Sequence, residues 1–374
     1  MKVLVATGLY PPEIGGPATH VEILERELPT RGIEVQALPF STVRKYPKVI
    51  RHAVYLLLLL SKARGVSIIY ALDPVSVGLP ALIAARIMRK KFILRVAGDY
   101  AWEQAAGRFG VTLFLDQFVQ EIHLQPFMVR ILVYAERLVA QHADRIVVPS
   151  VYLQGILGAW GIEKKEVTVV YNAFAPIEVR ESTKEIRAKL GYTGIVIVSA
   201  GRLVPWKGFY TLISIVAELR KEHLDVSCVI VGDGPDRARL VAHAEECGVQ
   251  DAVQFVDRQS KEALAQTISA ADMFVLNTAY EGFSHQLLEV MALGVPVVTT
   301  TVGGNGELLI HEETGLLVPY DDSSALSAAI KRLIEEGELR ERLCKNAKKT
   351  AESFTVARMI EGVQNVFMSV TAKT

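Results

Sequence analysis

Residues 277–289 read NTAYEGFSHQLLE and follow an apolar run at 273–276. The apolar run predicts a buried strand, and the apolar spacing at 287–293 predicts a helix. Glu281 and Glu289 therefore lie around a strand–loop–helix junction, with seven residues between them. Such a junction presents free backbone N–H groups and the positive end of a helix dipole, which suit an anionic or hydroxyl-rich ligand. The rest of the chain is best interpreted as a frame for this segment.

Length and composition limit the class of protein. The chain has 374 residues, which is too long for one ordinary hydrophobic core and predicts two domains. Half of the residues are apolar and 22% are charged, as in a soluble globular protein. The formal net charge of +0 argues against general nucleic-acid binding. The three cysteines show no C-x-x-C spacing, so we expect free thiols rather than a disulfide or a zinc site.

One stretch of the first half is strongly basic. Residues 35–72 contain six Lys or Arg residues and no Asp or Glu. This stretch is either a solvated basic face or a surface for an anionic partner, such as a phosphorylated lipid or a membrane. Its apolar run at 54–60 is far shorter than the roughly 20 residues needed to cross a bilayer. With a strand pattern at 1–5 and no signal peptide, we expect a cytoplasmic protein, and a peripheral contact with the cytoplasmic face of a membrane stays open.

Strand, loop and helix patterns alternate along the chain and predict parallel α/β domains. The first series opens with a strand at 3–6, a loop that contains Gly15 and Gly16, a helix from about residue 18, and a strand at 35–38. Paired glycines before a helix allow backbone N–H groups to approach a phosphate closely. Alone, this signal is weak.

A second α/β series begins with a strand at 195–200. Residues 172–176 precede a charged helix at 181–189 and look like the linker between two domains. Two helices, at 325–335 and 355–370, are expected to finish the chain.

Asp99 follows a predicted strand at 92–96, and residues at the carboxyl ends of parallel strands line the ligand crevice. It is therefore a site candidate, or simply a turn aspartate beside Gly98. Residues 105–142 show a helical pattern that is rich in aromatic side chains. We expect core packing to explain most of these aromatics, and a lipid or acceptor surface to explain a few.

Several common motifs are weak or absent. Gly232 and Gly234 follow a predicted strand, but Arg237 stands where a dinucleotide fingerprint has its third glycine. The sequence contains no P-loop motif and no G-x-S-x-G nucleophile elbow.

Arg202 and Lys207 lie five residues apart in the loop after the strand at 195–200. Two neighbouring cations suit a diphosphate, since each close ion pair is worth up to ~4 kcal/mol before desolvation at an effective dielectric of about 20. The chain has no Asp-x-Asp metal motif, so fixed Arg and Lys charges would do the work of a metal ion. Alternatively, Arg202 pairs with Asp233 or Glu281.

The two glutamates can each bind a different group of ligand hydroxyls. Glu289 can accept two hydrogen bonds, as the adjacent hydroxyls of a ribose require. Glu281, near the start of the helix, can meet a second group of hydroxyls.

These residues belong to an ordered set of motifs that resembles a known family. The chain resembles the retaining glycosyltransferases of the large family that contains sucrose-phosphate synthase and the phosphatidylinositol mannosyltransferases. The likeness covers nearly the whole chain, and the ordered set is specific although each motif alone is weak. The motifs are Gly15-Gly16-Pro17-Ala18-Thr19-His20, Val169-Val170-Tyr171-Asn172, Gly201-Arg202 with Lys207-Gly208, Gly232-Asp233-Gly234, Glu281 with Glu289, Gly294-Val295-Pro296-Val297-Val298, Gly303-Gly304, Glu307 and Thr314-Gly315-Leu316-Leu317-Val318.

The resemblance implies a GT-B fold, in which two Rossmann-like domains with parallel sheets face each other. Residues 1–176 would form the N-terminal acceptor-binding domain, and 177–354 the C-terminal domain for the nucleotide-sugar donor. Residues 355–374 would form a helix that packs back on the first domain.

The resemblance also implies roles for the site residues. Arg202 and Lys207 would hold the donor diphosphate, Glu289 would hold the ribose, and Glu281 would lie beside the transferred sugar. Gly16 would approach the phosphates from the opposite domain. The remaining residues implied for donor binding are Gly15, Gly282, Phe283, Ser284 and His285.

Two positions depart from the family pattern. Many family members have a histidine at the end of the fourth strand, whereas this chain has Asp99, which would take over sugar-hydroxyl binding. Between the glutamates the family commonly has Gly-Phe-Gly-Leu-Pro, whereas here Ser284, His285 and Gln286 follow Gly282-Phe283. His285 and Gln286 either read donor hydroxyls or pack at the start of the helix.

The expected function is a retaining, metal-independent transfer of a hexose-type sugar from a UDP- or GDP-linked donor. The acceptor would be a hydroxyl, lipid-linked or phosphorylated, in glycan or glycolipid assembly. A sugar-nucleotide 2-epimerase on the same frame is the first alternative, and a non-catalytic subunit is the second. The presence of both cations and both glutamates argues against the non-catalytic subunit.

Overall fold

The computed structural model describes residues 1–13, 15–163, 166–174 and 177–371. The chain divides into two compact units, Met1–Ala173 with Val356–Thr374, and Phe174–Thr355. The predicted domain boundary at residue 176 lies outside the described residues, as do residues 372–374. Each unit contains its own parallel sheet flanked by helices, as the sequence predicted.

The first unit is built on a six-stranded parallel sheet in the order β2-β1-β3-β4-β5-β6. Its central strands are apolar runs because helices cover both faces of a parallel sheet, and Val3, Leu4 and Val5 are completely buried. The strands are β1 (Lys2–Thr7), β2 (Glu34–Pro39), β3 (Ile68–Ala71), β4 (Lys91–Arg95), β5 (Arg145–Val148) and β6 (Val167–Val169).

The last helix of the chain belongs to this first unit. Its residues Val363 and Phe367 share one hydrophobic core with Val21 and Leu24 of the first helix and with the sheet, so the chain returns to its first unit as the resemblance implied. The helices of this unit are α1 (Gly16–Glu27), α2 (Lys48–Lys62), α3 (Gly78–Ile87), α4 (Tyr100–Arg108), α5 (Leu115–Gln120), α6 (Phe127–Gln141), α7 (Val151–Ala159) and α16 (Val356–Thr371).

The second unit repeats this architecture with the strand order β12-β11-β10-β7-β8-β9. The strands are β7 (Ile195–Ala200), β8 (Val226–Val231), β9 (Val253–Val256), β10 (Met273–Leu276), β11 (Val297–Thr300) and β12 (Leu316–Val318). The helices are α8 (Thr183–Leu190), α9 (Phe209–Lys221), α10 (Arg237–Glu246), α11 (Lys261–Ser269), α12 (His285–Leu293), α13 (Asn305–Leu308), α14 (Ser323–Glu335) and α15 (Gly337–Ala351).

The strand orders locate the ligand crevice of each sheet. In open α/β sheets, ligands bind beyond the carboxyl ends of the strands, where the strand order reverses. In the second unit the order reverses between β7 and β10, and in the first unit between β1 and β3. The loop with Arg202 and Lys207 follows β7, and the loop with Glu281 follows β10.

The structure corrects the prediction for residues 105–142. The helical pattern is broken into three helices, because Gly110 adopts a left-handed conformation (φ 67°) and Pro126 caps the start of α6. The aromatics of this region are also not mainly core residues. Phe118 is buried, but Phe127 and Tyr134 are 73% and 68% exposed.

A second correction concerns the end of the chain. The sequence predicted two final helices, and the structure has a further one, α15, between them. Its sequence GELRERLCKNAKKTA is mostly polar, and it buries only the stripe formed by Leu339, Leu343, Ala347 and Ala351. An apolar stripe this narrow produces no continuous apolar run in the sequence, so the helix was not predicted.

Candidate active site

The loop after β7 presents the two predicted cations differently. Pro205–Lys207 forms a single 3₁₀ turn, which Gly208 ends in a left-handed conformation (φ 59°). A Cβ atom at Gly208 would lie 2.2 Å from the carbonyl oxygen of Asn277, so only glycine fits there. Arg202 is exposed at the start of this loop, while Lys207 is half-buried near its end.

Lys207 forms an ion pair with Glu281, which lies 74 residues further along the chain. Each of the two side chains keeps only 16% of its surface exposed. The structure therefore brings together two residues that the sequence assigned separately, one to the diphosphate and one to the sugar. Because both groups are charged and still partly accessible, a ligand can offer each of them a new partner.

Arg202 does not take up the structural pairing considered from the sequence. Within the described part of the chain it forms no ion pair with Asp233 or with Glu281. The carboxylate of Asp233 accepts a hydrogen bond of 2.8 Å from the backbone N–H of Gly234. The Arg202 guanidinium is therefore an accessible cation at the switch point of the second sheet.

Backbone contacts fix the loops that carry these charges. The N–H of Ala279 donates to the carbonyl of Trp206 at 2.8 Å, and the N–H of Gly304 donates to the carbonyl of Glu281 at 2.8 Å. A Cβ atom at Gly303 would lie 2.2 Å from the same Glu281 carbonyl. Glu281 is thus held by a neighbouring glycine loop, and its side chain is the part that can move.

Asn277 is a residue whose role the sequence did not reveal. Its amide donates to the carbonyl of Gly208 at 3.4 Å, and its Oδ1 atom accepts from the N–H of Asp321 at 3.2 Å. It therefore ties the loop after β7 to the loop after β12. The sequence feature that could have indicated this role is the position of Asn277 directly after an apolar strand.

The segment between the two glutamates builds the start of α12. Ser284 is the N-cap and accepts a hydrogen bond of 3.3 Å from the N–H of Leu287. Phe283 is buried and packs against Phe354, with ring centroids 5.4 Å apart. Gly282 is buried beside Gly304, and His285 is half-buried as the first residue of the helix. Phe283 and Ser284 thus have clear structural roles, and direct donor contacts for Gly282–His285 stay predictions.

Glu289 lines a small cavity in the second unit. The cavity is also lined by Phe174, Ile177, Lys261 and Leu293. Burial raises the pKa of Glu289, and the charge of Lys261 opposes this shift. A half-enclosed carboxylate beside an apolar wall and a cation is well suited to a nucleoside, whose ribose is polar and whose base is largely apolar.

In the first unit, Gly15 and Gly16 begin α1. Gly15 is the N-cap residue and supplies no side-chain cap, and Pro17 occupies the first turn. A Cβ atom at Gly15 would lie 2.8 Å from the Leu9 side chain. Gly15 and Gly16 place no Cβ atom at this helix start, and an approach of their backbone to a phosphate stays a prediction.

Asp99 has a structural role in the first unit. It is the N-cap of α4, is only 2% exposed, and accepts a 2.7 Å hydrogen bond from the N–H of Trp102. Its carboxyl also interacts with the side chains of Glu136 and Trp160. Asp99 thus caps a helix rather than a simple turn, and sugar binding by Asp99 stays a prediction.

Glu136 completes a pair of buried carboxyls that the sequence did not reveal. Its two oxygens accept from the N–H groups of Tyr100 (2.7 Å) and Ala101 (3.0 Å), so it caps the same helix start as Asp99. Burial raises the pKa of Asp99 to about 6. Burial, with the neighbouring charge of Asp99, raises the pKa of Glu136 well above its usual range. Only a contact across 37 positions of the chain shows that the two carboxyls meet.

Two further polar residues shape the carboxyl edge of the first sheet, the half-buried Asp73 and the buried Arg95. Asp73, beside the switch point, accepts backbone N–H bonds from Val75 (2.9 Å) and Ser76 (2.6 Å), and burial raises its pKa to about 6. Arg95 is 1% exposed and donates to Asn172 at 2.5 Å. Both were hidden in the sequence because a strand-end Asp and a strand Arg are common surface residues.

The described ranges lack both a metal-binding cluster and a membrane-spanning helix. No cluster of three or more His, Cys, Asp or Glu side chains there could hold a metal ion. None of the helices in the same ranges is long and apolar enough to cross a bilayer.

Comparison with protein families gives two matches that together span most of the chain. Residues 2–173 match the glycosyl transferase 4-like domain, and residues 182–350 match the glycosyl transferases group 1. Each match covers about one of the two structural units.

A curated relative is the lipopolysaccharide core biosynthesis glycosyltransferase LpsD of Rhizobium meliloti. It is 35% identical over 155 residues, which are 41% of this chain and 43% of LpsD. The similarity to the alpha-D-kanosaminyltransferase of Streptomyces kanamyceticus is 31% over 46% of this chain and 45% of that enzyme. The chain thus spans less than half of the length of these relatives.

Solved structures show the same fold over the whole chain. The sucrose-phosphate synthase of Thermosynechococcus elongatus superposes with a TM-score of 0.80 at 20% identity, covering 100% of both chains. Anabaena HepE in complex with UDP-glucose superposes with a TM-score of 0.79 at 20% identity, covering 99% of this chain and 100% of that one. These likenesses confirm the predicted GT-B class of two Rossmann-like sheets.

Proposed function

The chain belongs to the glycosyltransferase family that these two matches define, and we propose that it transfers a hexose from a nucleoside diphosphate donor to an acceptor hydroxyl. The donor would be UDP- or GDP-linked, the anomeric configuration would be retained, and no metal would be needed. The observation that carries the proposal is the exposed Arg202 beside the Lys207–Glu281 ion pair, on the two loops that flank a sheet switch point.

The two cations are proposed to hold the diphosphate. Arg202 is exposed, so a phosphate can bind it without breaking an existing ion pair. Lys207 is already partnered, so a phosphate must replace the Glu281 carboxylate. A diphosphate carries more negative charge than one carboxylate and would therefore win this exchange. The exchange would free Glu281 for the hydroxyls of the sugar at the moment the donor arrives.

Glu289 is proposed to hold the ribose in the cavity it shares with Lys261. Adjacent ribose hydroxyls can donate to the two carboxylate oxygens. Burial raises the pKa of Glu289, and hydroxyls that donate to its carboxylate would favour the charged form. The supporting observation is that Glu289 lies on α12, the helix that directly follows the loop with Glu281.

The proposed chemistry needs no nucleophile from the protein. The bond between the sugar C1 and the donor phosphate oxygen breaks, and the bond from C1 to the acceptor oxygen forms on the same face. The acceptor's proton passes to the departing phosphate oxygen. Arg202 and Lys207 stabilise the negative charge that grows on the diphosphate as this bond breaks.

The acceptor and the cellular setting are proposed from coarser features. LpsD acts, by its name, in lipopolysaccharide core biosynthesis, and we infer a related role in glycan or glycolipid assembly. A lipid-linked or phosphorylated acceptor on the cytoplasmic face of a membrane agrees with the basic stretch at 35–72. Gly15, Gly16 and Asp99 stay proposed contacts of donor or acceptor.

A screen of nucleotide sugars tests the donor assignment. We expect one UDP- or GDP-sugar to raise the thermal unfolding temperature in the presence of a metal chelator, because a ligand that binds the folded state stabilises it. Protection that requires a divalent cation would contradict the metal-independent proposal. Incubation of that donor with and without an acceptor then separates transfer from 2-epimerisation, since an epimerase converts the donor alone. The product's anomeric configuration, read by NMR, tests retention.

A further inference from the structure

The helices α2, α3 and α6 of the first unit form an unusually apolar surface. α3 packs against both α2 and α6, so the three helices lie side by side. Large apolar side chains on all three are exposed to solvent, up to 73% for Phe127. These side chains define the α2–α3–α6 face: Ile50, Leu57, Ile83, Ile87, Phe127, Met128, Ile131 and Tyr134.

The exposed positions follow the helical repeat, so they form stripes rather than scattered residues. On α2, Ile50 and Leu57 are two turns apart, while Tyr55 and Leu59 on the opposite side are completely buried. On α6, Phe127, Ile131 and Tyr134 are spaced four and three residues apart. Each helix is therefore apolar on both its core side and its outer side, which is unusual for a helix in contact with water.

The charges on this face have a single sign. The sequences of α2 and α3 contain no Asp or Glu, and the one acid of α6, Glu136, is 1% exposed. Arg86 and Arg130 are exposed on the helices, and Arg64 and Arg89 are exposed in the turns that follow α2 and α3. By contrast, α1 carries Glu22, Glu25 and Glu27.

We propose that the α2–α3–α6 face binds the surface of a bilayer that contains anionic lipids. Apolar side chains would enter the boundary between headgroups and acyl chains, and the flanking arginines would contact the lipid phosphates. A second copy of the chain fits less well, because a two-fold interface would place this positive face against itself. This inference deepens the proposed action on a lipid-linked acceptor by naming the surface, but its test does not depend on catalysis.

Vesicle co-sedimentation of the full chain tests this inference, with no donor or acceptor present. We expect binding to vesicles of phosphatidylcholine mixed with phosphatidylglycerol, weaker binding to phosphatidylcholine alone, and a loss of the difference in high salt. Equal binding to both kinds of vesicle, or binding to neither, would overturn the proposal.

Two double variants separate the apolar and charged contributions. Arg64→Gln with Arg130→Gln should lower binding to the anionic vesicles by about fivefold for each charge, and leave binding to neutral vesicles unchanged. Leu57→Gln with Phe127→Gln should lower binding to both kinds of vesicle. All four side chains are exposed, so the folded state should tolerate these changes.

Matched controls carry the same substitutions elsewhere. Ile310→Gln with Met368→Gln replaces apolar residues of similar exposure, and Lys348→Gln with Lys349→Gln removes two exposed cations of α15. Controls that lose as much binding as the face variants would contradict the proposal. A dimer in solution that only Leu57→Gln with Phe127→Gln dissociates, without vesicle binding, would instead assign the face to a second copy.

Thermal protection by the donor, measured on the same samples, keeps this test separate from the proposed function. Donor protection should be the same in all of these variants, because none of the substituted residues is proposed to contact the donor. Protection without vesicle binding would reject the membrane face alone, and vesicle binding without protection would reject the donor assignment alone.

Discussion

The charged residues at the carboxyl edges of the two sheets differ in their exposure to solvent. In the second unit, Arg202 is exposed, and the paired Lys207 and Glu281 each keep 16% of their side-chain surface accessible. In the first unit, Asp99 and Glu136 are 2% and 1% exposed. The two units share an architecture, but they use the charges at equivalent edges differently.

The difference helps to distinguish side chains that can bind a ligand from side chains that stabilise the fold. Asp99 and Glu136 satisfy the first N–H groups of α4, so backbone donors already occupy their oxygens. Among the described residues, the charged groups of Lys207 and Glu281 pair with each other rather than with the backbone, and a charged ligand can replace either partner. A group whose hydrogen bonds go to the backbone holds the fold, whereas a charge with an exchangeable partner can serve a ligand.

Lys207→Ala should have the largest effect on catalysis. Loss of a cation that stabilises the departing diphosphate should lower kcat about 10²–10³-fold. Transfer assays at saturating donor measure this. Lys221→Ala, which removes an exposed lysine at the end of α9, is the matched control and should leave turnover unchanged. Full turnover in Lys207→Ala would remove the diphosphate assignment.

Glu281→Gln should separate binding from turnover. The change removes the carboxylate that occupies Lys207 in the unliganded protein, so the affinity for the free nucleoside diphosphate should stay equal or rise by a few-fold. Turnover should fall about 10–100-fold, because the amide is a weaker partner for the sugar hydroxyls. Calorimetry and transfer assays on one preparation give both values. A loss of nucleotide affinity with unchanged turnover is the opposite of this expectation.

Glu289→Gln should weaken nucleoside binding by about tenfold, equivalent to ~1.4 kcal/mol. The reduction should be the same for a nucleoside and for its diphosphate, because the residue is proposed to contact the ribose alone. The carboxyl is partly buried and its pKa is raised, so the neutral variant should be at least as stable as the wild type. Competition titrations with uridine and UDP, and with guanosine and GDP, test this, and a reduction confined to the diphosphate would place Glu289 at the phosphates instead.

Asp99→Asn should affect stability and its pH dependence more than catalysis. The folded-state pKa of Asp99 is raised to about 6 from 3.8, so the folded chain binds more protons than the unfolded chain between these values. The stability from this residue is complete below about pH 4 and is lost as the pH rises through about 6. Relative to Asp99→Asn, the wild type should therefore lose on the order of 1–2 kcal/mol of unfolding free energy between about pH 4 and about pH 7.

Asp322→Asn is the matched control for this prediction. Asp322 is also a helix N-cap, accepting from the N–H of Ala325 at 2.9 Å, but its hydrogen bonds lower its pKa. The contribution of Asp322 to the unfolding free energy should therefore grow as the pH rises, whereas that of Asp99 falls. Denaturant titrations across the pH range measure both variants, and equal slopes would refute the contrast between buried and exposed caps.

Much of the fold could be predicted from local pattern. The predicted strands at 195–200 and 273–276 have the observed limits, because buried parallel strands are continuous apolar runs with clear ends. The helix α15 was missed because its apolar stripe is thin, and the exposure of Phe127 was missed because aromatics are usually buried.

The site could be predicted only in part. Its loops were found, since they follow apolar strands and carry charged residues. The contacts between its charged residues could not be predicted, because the partners are far apart in the sequence. Lys207 and Glu281 are separated by 74 positions, and Asp99 and Glu136 by 37. Asp99 was predicted to line the ligand crevice because it follows a strand. Only its hydrogen bond to the N–H of Trp102 shows that it caps a helix.

The most direct test of the central claim is a calorimetric titration of UDP and of GDP, in the presence of a metal chelator, against the wild type and Arg202→Gln with Lys207→Gln. If fixed cations of the second unit hold the donor diphosphate, one nucleotide should bind the wild type without metal and bind the double variant about 100-fold more weakly. The corresponding nucleoside should bind both proteins equally. Equal nucleotide affinities, or binding that disappears in the chelator, would contradict the account.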